Sequence, residues 1–245
     1  MSAGELAFPS DGSFGSARAF RCGAARGVAY AGVPAALAAS VPGWLEARAV
    51  PAAEVLKRGR VFRAGALIVK FFPRATPFGL LRRARAVRSA ERYFACLPVP
   101  SPRPLLAARA RLGGVSLLVR EFVPGRLLSE VWTRDARAME ALAPFLALMT
   151  RRRVLHGDLH PSNLLWDGTR WLLLDVDGVR HRLHSPRRVT VTMWARLLQR
   201  LEDGPELRAL HARYLELGAE PAARAPRWEA VERRARHLRP ARDGG

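Results

Sequence analysis

The chain has 245 residues, and its 41 Lys and Arg against 21 Asp and Glu leave a formal charge of +20. Hydrophobic residues make up 49% of it, which excludes a chain too polar to bury a core. The length fits one large domain or two small lobes. The charge is compatible with nucleic acid or an anionic membrane, and equally with the arginine-rich, lysine-poor usage of a GC-rich genome.

The cysteine content and the apolar runs indicate a cytoplasmic protein. Cys22 and Cys96 could form at most one disulfide, in a chain long enough not to need one. Residues 1–15 carry no basic residue ahead of an apolar stretch, so no secretory signal is predicted. The longest apolar run, Val28–Val41, is broken by Pro34 and shorter than the roughly 20 residues of a spanning helix.

Residues 1–45 are rich in Gly, Ala, Ser and Pro without a clear period, and we expect a loosely ordered extension with at most one short helix. From Val61 onward, a strand to Arg63 and a second over Ala66–Phe72 predict a hairpin that Pro73 ends. Apolar residues at spacings of three and four predict an amphipathic helix over Pro77–Phe94. The Pro-rich segment Pro98–Pro104 must then be extended.

The pattern continues with strands and then becomes mainly helical. The predicted elements are strands Leu105–Arg109 and Val115–Val123, helix Asp135–Arg151, a hairpin of Asn163–Trp166 with Trp171–Leu174, and helices Val189–Glu202, Glu206–Leu217 and Arg227–Leu238. We therefore predict an α+β fold, with a small antiparallel-sheet N-lobe carrying one main helix at 46–123 and a mainly helical C-lobe at 124–220. Residues 221–245 form a basic C-terminal tail.

The segment His156–Asn163 carries the clearest chemical signal. It places Asp158 and Asn163 five positions apart in a loop between a long helix and a hairpin, and Asp175 follows at the end of that hairpin. Phosphoryl transfer needs a carboxylate to accept a hydroxyl proton, together with an amide and a second carboxylate to hold Mg²⁺. His156 is predicted to pack and hydrogen-bond within the loop rather than to react.

A lysine for the triphosphate is also present. Lys70 ends an apolar strand, in a chain whose only other lysine is Lys57. A compact ammonium on a flexible stem suits phosphate contact better than a guanidinium does at such a position. Glu91 lies on the helix that follows, where it could fix the ammonium through an ion pair.

The order of strand lysine, helix glutamate, D-x₄-N and strand aspartate resembles the protein-kinase-like fold. Within that fold, HGDLHPSN is similar to the small-molecule branch, which includes the aminoglycoside and choline kinases and the lipopolysaccharide core kinases acting on Kdo or heptose. The segments PVPSPRPL, LVREFVPG and LLLDVDGVRHR carry the resemblance to the lipopolysaccharide core kinases. The resemblance covers about residues 56–217.

The resemblance implies a role for each matching residue. It makes Asp158 the catalytic base, Asn163 and Asp175 the Mg²⁺ ligands, Lys70 the phosphate clamp, Glu91 its partner, and Glu121 and Val123 the hinge whose backbone contacts the adenine of ATP. It defines no role for Asp177. The chain departs from the usual kinases in lacking G-x-G-x-x-G before the lysine strand and a long activation loop after Asp175.

We therefore expect an ATP- and Mg²⁺-dependent kinase that phosphorylates a hydroxyl of a saccharide. The expected saccharide is a lipopolysaccharide core sugar. The resemblance implies a monomer without a specific nucleic-acid partner, whose basic surface could contact the anionic inner face of the cytoplasmic membrane. Two alternative functions are compatible with the same sequence motifs. One is a compact, atypical Ser/Thr protein kinase, and the other is a pseudokinase or a basic module that binds RNA or a membrane surface.

Overall fold

A computed structural model describes residues 18–30, 33–57, 59–72, 89–90, 99–110, 115–156, 159–176, 179–181, 186–201, 204–218 and 227–238. The chain divides into two compact units. Unit 1 comprises Met1–Phe94 and Pro102–Val123, and unit 2 comprises Ala95–Ser101 and Pro124–Gly245. The predicted site residues Glu91 and Asp158 lie outside the described residues, as does Asp177.

Within the described residues, unit 1 contains a seven-stranded antiparallel sheet. Its strands are β1 (Arg18–Cys22), β2 (Ala25–Ala29), β3 (Glu54–Lys57), β4 (Val61–Ala64), β5 (Leu67–Phe72), β6 (Pro104–Ala110) and β7 (Ser116–Glu121). They lie in the order β1-β2-β6-β7-β5-β4-β3. The predicted hairpin over 61–72 is confirmed, since β4 pairs antiparallel with β5. The two strands predicted at 105–109 and 115–123 pair as β6 and β7.

Both faces of β5 are largely buried, as the nearly continuous apolar run in its sequence predicts. Leu67, Val69 and Phe71 alternate onto the face that forms the main core of the unit. Ile68 and Phe72 lie on the opposite face and are also buried. The helix α1 (Ala35–Ala47) contributes its buried residues to the main core, and these are Leu37, Val41 and Leu45. The strand β5 thus lies between two layers of buried apolar side chains.

The expectation of a loosely ordered extension over residues 1–45 is wrong for residues 18–45. β1 and β2 form a hairpin that adds to the sheet through β6, and α1 covers one face. Gly27 makes the close pairing possible, because a Cβ at this position would collide with the carbonyl oxygen of Ala107. These strands were not predicted because they are rich in Ala, Gly and Arg. Such residues have low β-propensity and do not give a clear alternation of apolar and polar positions.

In unit 1, one predicted helix lies almost entirely outside the described residues, and one strand was not predicted. The amphipathic helix over residues 77–94 lies outside the described residues except for Ser89 and Ala90, which are helical and buried. β3 was not predicted, and all four of its residues are exposed at the edge of the sheet. An exposed edge strand carries no buried face, so its sequence shows no apolar alternation.

Unit 2 is mainly helical, as predicted. Its elements are β8 (Arg126–Leu127), α2 (Leu128–Val131), α3 (Ala136–Arg151), β9 (Val154–His156), the 3₁₀ turn Pro161–Asn163, β10 (Leu164–Trp166), β11 (Trp171–Leu173), β12 (Val179–His181), α4 (Pro186–Leu198), α5 (Pro205–Glu216) and α6 (Trp228–His237). β10 pairs antiparallel with β11, which confirms the predicted hairpin. None of the helices in the described part of the chain is long and apolar enough to cross a bilayer.

The long helix α3 is the central element of unit 2. It begins at Asp135, whose Oδ1 accepts a hydrogen bond from Ala138 N at 3.0 Å, and this satisfies one of the free N–H groups of the first turn. Trp171 of β11 donates its indole N–H to the carbonyl of Ala138 at 2.8 Å. At the other end, the Thr150 and Tyr214 hydroxyls lie 2.9 Å apart. These contacts tie α3 to the hairpin and to α5.

The predicted tail helix over residues 227–238 is part of unit 2, because α6 packs against α4. The side chain of Gln199, just beyond α4, donates hydrogen bonds to the carbonyls of Ala235 and Leu238 at 2.9 and 3.1 Å. These bonds satisfy carbonyls at the C-terminal end of α6. The basic segment from 221 onward therefore includes a docked helix.

The turn between β10 and β11 is built around Asp167. Its Oδ1 accepts hydrogen bonds from the N–H groups of Thr169 and Arg170, each at 2.8 Å, and from the Thr169 hydroxyl at 2.7 Å. Burial raises the pKa of Asp167, but the hydrogen bonds from Thr169 and Arg170 outweigh this effect and bring the pKa below its ordinary value. The turn is therefore built to hold an ionised carboxylate.

Asp167→Ala is expected to lower the free energy of unfolding by about 2 kcal/mol at neutral pH, because three donors lose a charged acceptor. The pKa of Asp167 is lower in the folded state, so its contribution is complete above the unfolded pKa of about 4 and is lost as pH falls through the folded value. Urea unfolding at pH 7 and at pH 3 checks this. A difference between wild type and variant that stays constant with pH would contradict it.

Candidate functional site

The loop that carries the predicted chemistry is anchored within unit 2 on both sides of residues 157–158. His156 and Leu159 are both 1% exposed. After Leu159, the loop closes into the 3₁₀ turn, where Asn163 N donates to the carbonyl of His160 at 2.7 Å. The ring Nδ1 of His160 accepts from Ser162 N at 3.1 Å. These hydrogen bonds within residues 160–163 fix the described part of the loop that leads into Asn163.

Asn163 and Asp175 are brought together at the open end of the β10–β11 hairpin. Leu164 pairs with Leu173, and one position further the N–H of Leu174 donates to the carbonyl of Asn163 at 2.8 Å. Asp175 is the next residue after this last hydrogen bond. The two predicted Mg²⁺ ligands are twelve positions apart in sequence, and the hairpin folds the eleven residues between them back on themselves.

The backbone of Asp175 is held in an uncommon conformation. Its φ is +47°, in the left-handed region that Asp and Asn tolerate better than other residues with a side chain. The carbonyl of Asp175 lies 2.7 Å from His156 Nε2, and because a carbonyl only accepts, Nε2 carries the hydrogen. This confirms that His156 packs and hydrogen-bonds in the loop. Its effect is to fix the residue predicted to bind the metal.

The donor set of Asn163 and Asp175 fits Mg²⁺. The cation prefers oxygen ligands, and in nucleotide sites one or two protein carboxylates commonly suffice, with substrate phosphates and water completing the shell. Asn163 is partly exposed and Asp175 is exposed, so a hydrated ion with bound phosphates could reach them. Across the described residues, no group of three or more His, Cys, Asp and Glu side chains forms a metal site. A Mg²⁺ ion here would depend on its nucleotide for further ligands.

Lys70 belongs to unit 1 and lies on β5, opposite Val61 of β4 and Leu118 of β7. Strand alternation places it on the face that does not form the main core, between the buried Ile68 and Phe72. Its ammonium nitrogen is 5.4 Å from the centre of the Phe72 ring. The stem therefore runs along apolar side chains while the residue as a whole stays partly exposed. The proposed partner, Glu91, follows the buried helical residues Ser89 and Ala90.

The predicted hinge begins at the end of β7, where Glu121 is fixed by Arg103. Glu121 Oε1 accepts from Arg103 N at 2.7 Å, and Glu121 N donates to Arg103 O at 2.9 Å. The next residue, Phe122, donates its N–H to the carbonyl of Ala66 at 2.8 Å, and the Arg63 guanidinium lies 3.9 Å from its ring centre. The N–H groups of Glu121 and Phe122 already donate hydrogen bonds within unit 1. Of the three hinge residues 121–123, Val123 is therefore the one whose N–H we expect to donate a hydrogen bond to adenine.

The structure thus brings Asn163 and Asp175 together in unit 2, and it places Lys70, Glu121 and Val123 in unit 1. Arg103 was not predicted, because its contact with Glu121 depends on the pairing of β6 with β7 and joins residues 18 positions apart. One sequence signal could have predicted this contact. Arg103 lies in the extended Pro-rich segment, and Glu121 stands at the end of the strand pair that follows it.

The segment that holds Asn163 and Asp175 is the part of the chain that matches a known family. Residues 127–181 match the model of the phosphotransferase enzyme family, abbreviated APH. The match begins in β8 and ends with β12, so it includes the whole loop and hairpin described above. No curated protein matches the chain significantly. Over this segment, the predicted relationship to kinase-like phosphotransferases is confirmed.

The chain is also similar to solved structures. A crystal structure of WbdD at 2.2 Å is 19% identical, with a TM-score of 0.43 over 71% of this chain and 47% of that one. WbdD bound to the kinase inhibitor LY294002 gives 19% identity and a TM-score of 0.46 over 74% of this chain and 44% of that one. The chain therefore spans less than half of WbdD.

A third structure is a divergent kinase lacking the glycine-rich loop, which regulates membrane ultrastructure of the Toxoplasma parasitophorous vacuole. It is 17% identical to this chain, with a TM-score of 0.40 over 71% of this chain and 70% of that one.

Proposed function

We propose that the protein transfers the γ-phosphoryl group of ATP to a hydroxyl of a saccharide acceptor, and that the acceptor is a lipopolysaccharide core sugar such as Kdo or heptose. One observation carries the proposal. The 127–181 segment that matches the phosphotransferase enzyme family is the segment in which the hairpin sets Asn163 beside Asp175. The acceptor class comes from the sequence resemblance to the lipopolysaccharide core kinases.

Each candidate site residue has a separate role in the proposed reaction. Asn163 and Asp175 would hold Mg²⁺, which when bound neutralises charge on the β- and γ-phosphate oxygens. Asp158 accepts the proton of the attacking hydroxyl, a bond forms from that oxygen to the γ-phosphorus, and the bond to the bridging oxygen breaks so that ADP leaves with the electron pair. Lys70 offsets charge on the phosphates, and its ammonium is expected to be oriented by Glu91.

The short connection after Asp175 favours a small acceptor over a polypeptide. The chain enters β12 at Val179, four residues after Asp175, and β12 pairs antiparallel with β9 so that Val179 lies opposite His156. Only the four residues 182–185 then separate β12 from α4. This length leaves no room for the long activation segment that protein kinases carry between the metal-binding Asp and the A-P-E motif. The prediction of a small-molecule kinase is consistent with that length.

The test is a transfer assay with γ-labelled ATP and Mg²⁺, offering dephosphorylated core oligosaccharide and a generic protein substrate in parallel. We expect label in the oligosaccharide and a negligible amount in the protein. Label in the protein alone would support the atypical protein kinase instead. A chain that labels neither acceptor, although folded by circular dichroism, would support a pseudokinase or a basic binding module.

A further inference from the structure

The only two lysines of the chain lie on the same face of the sheet in unit 1. Lys57 of β3 pairs with Val61 of β4, and Val61 pairs with Lys70 of β5. Residues directly opposite each other on adjacent strands project to the same face, so both lysines belong to the face that does not form the main core. Neighbouring strands are about 4.8 Å apart, which places the two lysines about 10 Å apart at the backbone.

An irregularity in β3 brings Lys57 to this face. Val55 pairs with Phe62, which belongs to the main core. The next residue of β4, Val61, pairs with Lys57 and not with Leu56. In a regular ladder Leu56 would take that place, and Lys57 would project to the face of the main core. Bulges of this kind are frequent next to active sites, where they re-aim a side chain.

Along the strands, Lys57 lies level with the phosphate end of the proposed nucleotide site. Glu121, which leads into the hinge residue Val123, pairs with Leu67 of β5. Lys70 is three residues further along β5, a distance of about 10 Å given the rise of a strand. A nucleotide with its adenine at Val123 and its phosphates at Lys70 would therefore run along this face. Lys57 is at the level of Lys70 and not at the level of the hinge.

The ammonium group of Lys57 has no anionic partner among the residues that the structure describes. The side chain is exposed and makes no hydrogen bond or ion pair with them. The acid on the same strand is Glu54, and its Oε2 lies 3.5 Å from Nη1 of Arg63. That carboxylate is thus already paired with a cation. Lys57 is therefore available to an anion from outside the chain.

The connection between β3 and β4 leaves a role for such a cation. In protein kinases a glycine-rich loop covers the phosphates at this place, before the strand that carries the lysine. Here only residues 58–60 separate the two strands, and Arg60 N donates to the carbonyl of Lys57 at 3.0 Å. Gly59 has a φ of +66°, so its glycine serves the turn itself. A turn this short offers few backbone N–H groups to a phosphate, and a side chain has to supply the charge.

We propose that Lys57 binds the phosphates of the nucleotide together with Lys70, in the role that a glycine-rich loop has in other kinases. This inference rests on the proposed function and adds a phosphate-binding residue to the same site. The ammonium donates charge-assisted hydrogen bonds to phosphate oxygens, as a point charge on a flexible stem can. A nucleoside without phosphates gains nothing from it.

Calorimetric titration of the full chain with Mg-ATP and with adenosine tests the role of Lys57. Lys57→Gln is expected to weaken Mg-ATP binding about tenfold, which is the usual effect of losing one hydrogen bond between charged groups. Its affinity for adenosine should equal that of wild type. Lys57→Arg should recover most of the loss, because it keeps the charge. Both variants should keep the wild-type melting temperature, since the side chain is exposed.

The matched control is Arg18→Gln, which removes an exposed cation from β1 at the other edge of the sheet. It should bind Mg-ATP as wild type does. If Lys57→Gln bound Mg-ATP as tightly as this control while Lys70→Gln bound it more weakly, the inference would be wrong and the proposed function would stand. Equal losses of Mg-ATP and adenosine affinity in Lys57→Gln would also overturn it, because they indicate a structural role. Wild type that binds no Mg-ATP would overturn the proposed function and this inference together.

Discussion

Asp158→Asn is expected to lower kcat by about 10²- to 10⁴-fold while leaving the affinity for Mg-ATP nearly unchanged. In the proposed mechanism the carboxylate accepts the hydroxyl proton in the transition state, and an amide of the same shape cannot take it up. The proposal assigns nucleotide affinity to other groups, namely Lys70, Asn163 and Asp175. Steady-state transfer to the oligosaccharide, together with calorimetric titration of Mg-ATP, separates the two effects.

The chain offers a matched control in Asp135→Asn. Asp135 caps α3 and forms an ion pair with Arg126, outside the loop that carries the chemistry. Asparagine is as good an N-cap as aspartate, so this change removes a carboxylate of unit 2 at little cost to the helix. The control should transfer phosphate at close to the wild-type rate. If Asp158→Asn matched the control in kcat, Asp158 would not be the base.

The second large effect is expected at Asp175. Asp175→Asn should lower kcat/KM by about 10³-fold, because a carboxylate ligand of Mg²⁺ contributes several kcal/mol through charge on the transferring phosphoryl group. Asparagine is the informative replacement, since it shares with aspartate a tolerance for the left-handed backbone that a φ of +47° requires. Transfer rates measured across a range of Mg²⁺ concentrations give the size of the loss and the shift in metal dependence.

Asp175→Ala separates the chemical role from the backbone role. Alanine in the left-handed region costs roughly 1–2 kcal/mol, so this variant should lose stability as well as activity. Asp175→Asn should lose activity alone and keep the wild-type midpoint in urea. If Asp175→Asn kept both its rate and its Mg²⁺ dependence, the assignment of Asp175 as a metal ligand would be wrong.

Local patterns predicted the elements whose own sequence carries an apolar run, a regular apolar spacing or a turn signal. The strand β5 shows a nearly continuous apolar run, and α3 shows apolar residues at spacings of three and four, so both were predicted within a few residues. The hairpin of β10 and β11 was predicted from the Asp167-Gly168 turn. In each of these cases, the signal lies within the element itself and does not depend on distant parts of the chain.

Features that depend on distant pairing could not be predicted in this way. The strands β1 and β2 carry few β-branched or aromatic residues and exist because β6 accepts them as neighbours. The contacts of Glu121 with Arg103, and of the Asp175 carbonyl with His156, join residues that are 18 and 19 positions apart. The sequence indicated the candidate metal ligands, but the bond from Leu174 N to the Asn163 carbonyl that sets them side by side is visible only in the fold.

The central claim is that unit 2 carries a Mg²⁺-nucleotide half-site at Asn163 and Asp175, and thermal unfolding tests it most directly. ATP with Mg²⁺ at about 100 times its Kd should stabilise the chain by about 2.7 kcal/mol, which corresponds to a rise in Tm of roughly 5–10 °C. ATP with a chelator should give a much smaller rise. An equal rise with and without Mg²⁺, or no rise in either condition, would contradict the claim.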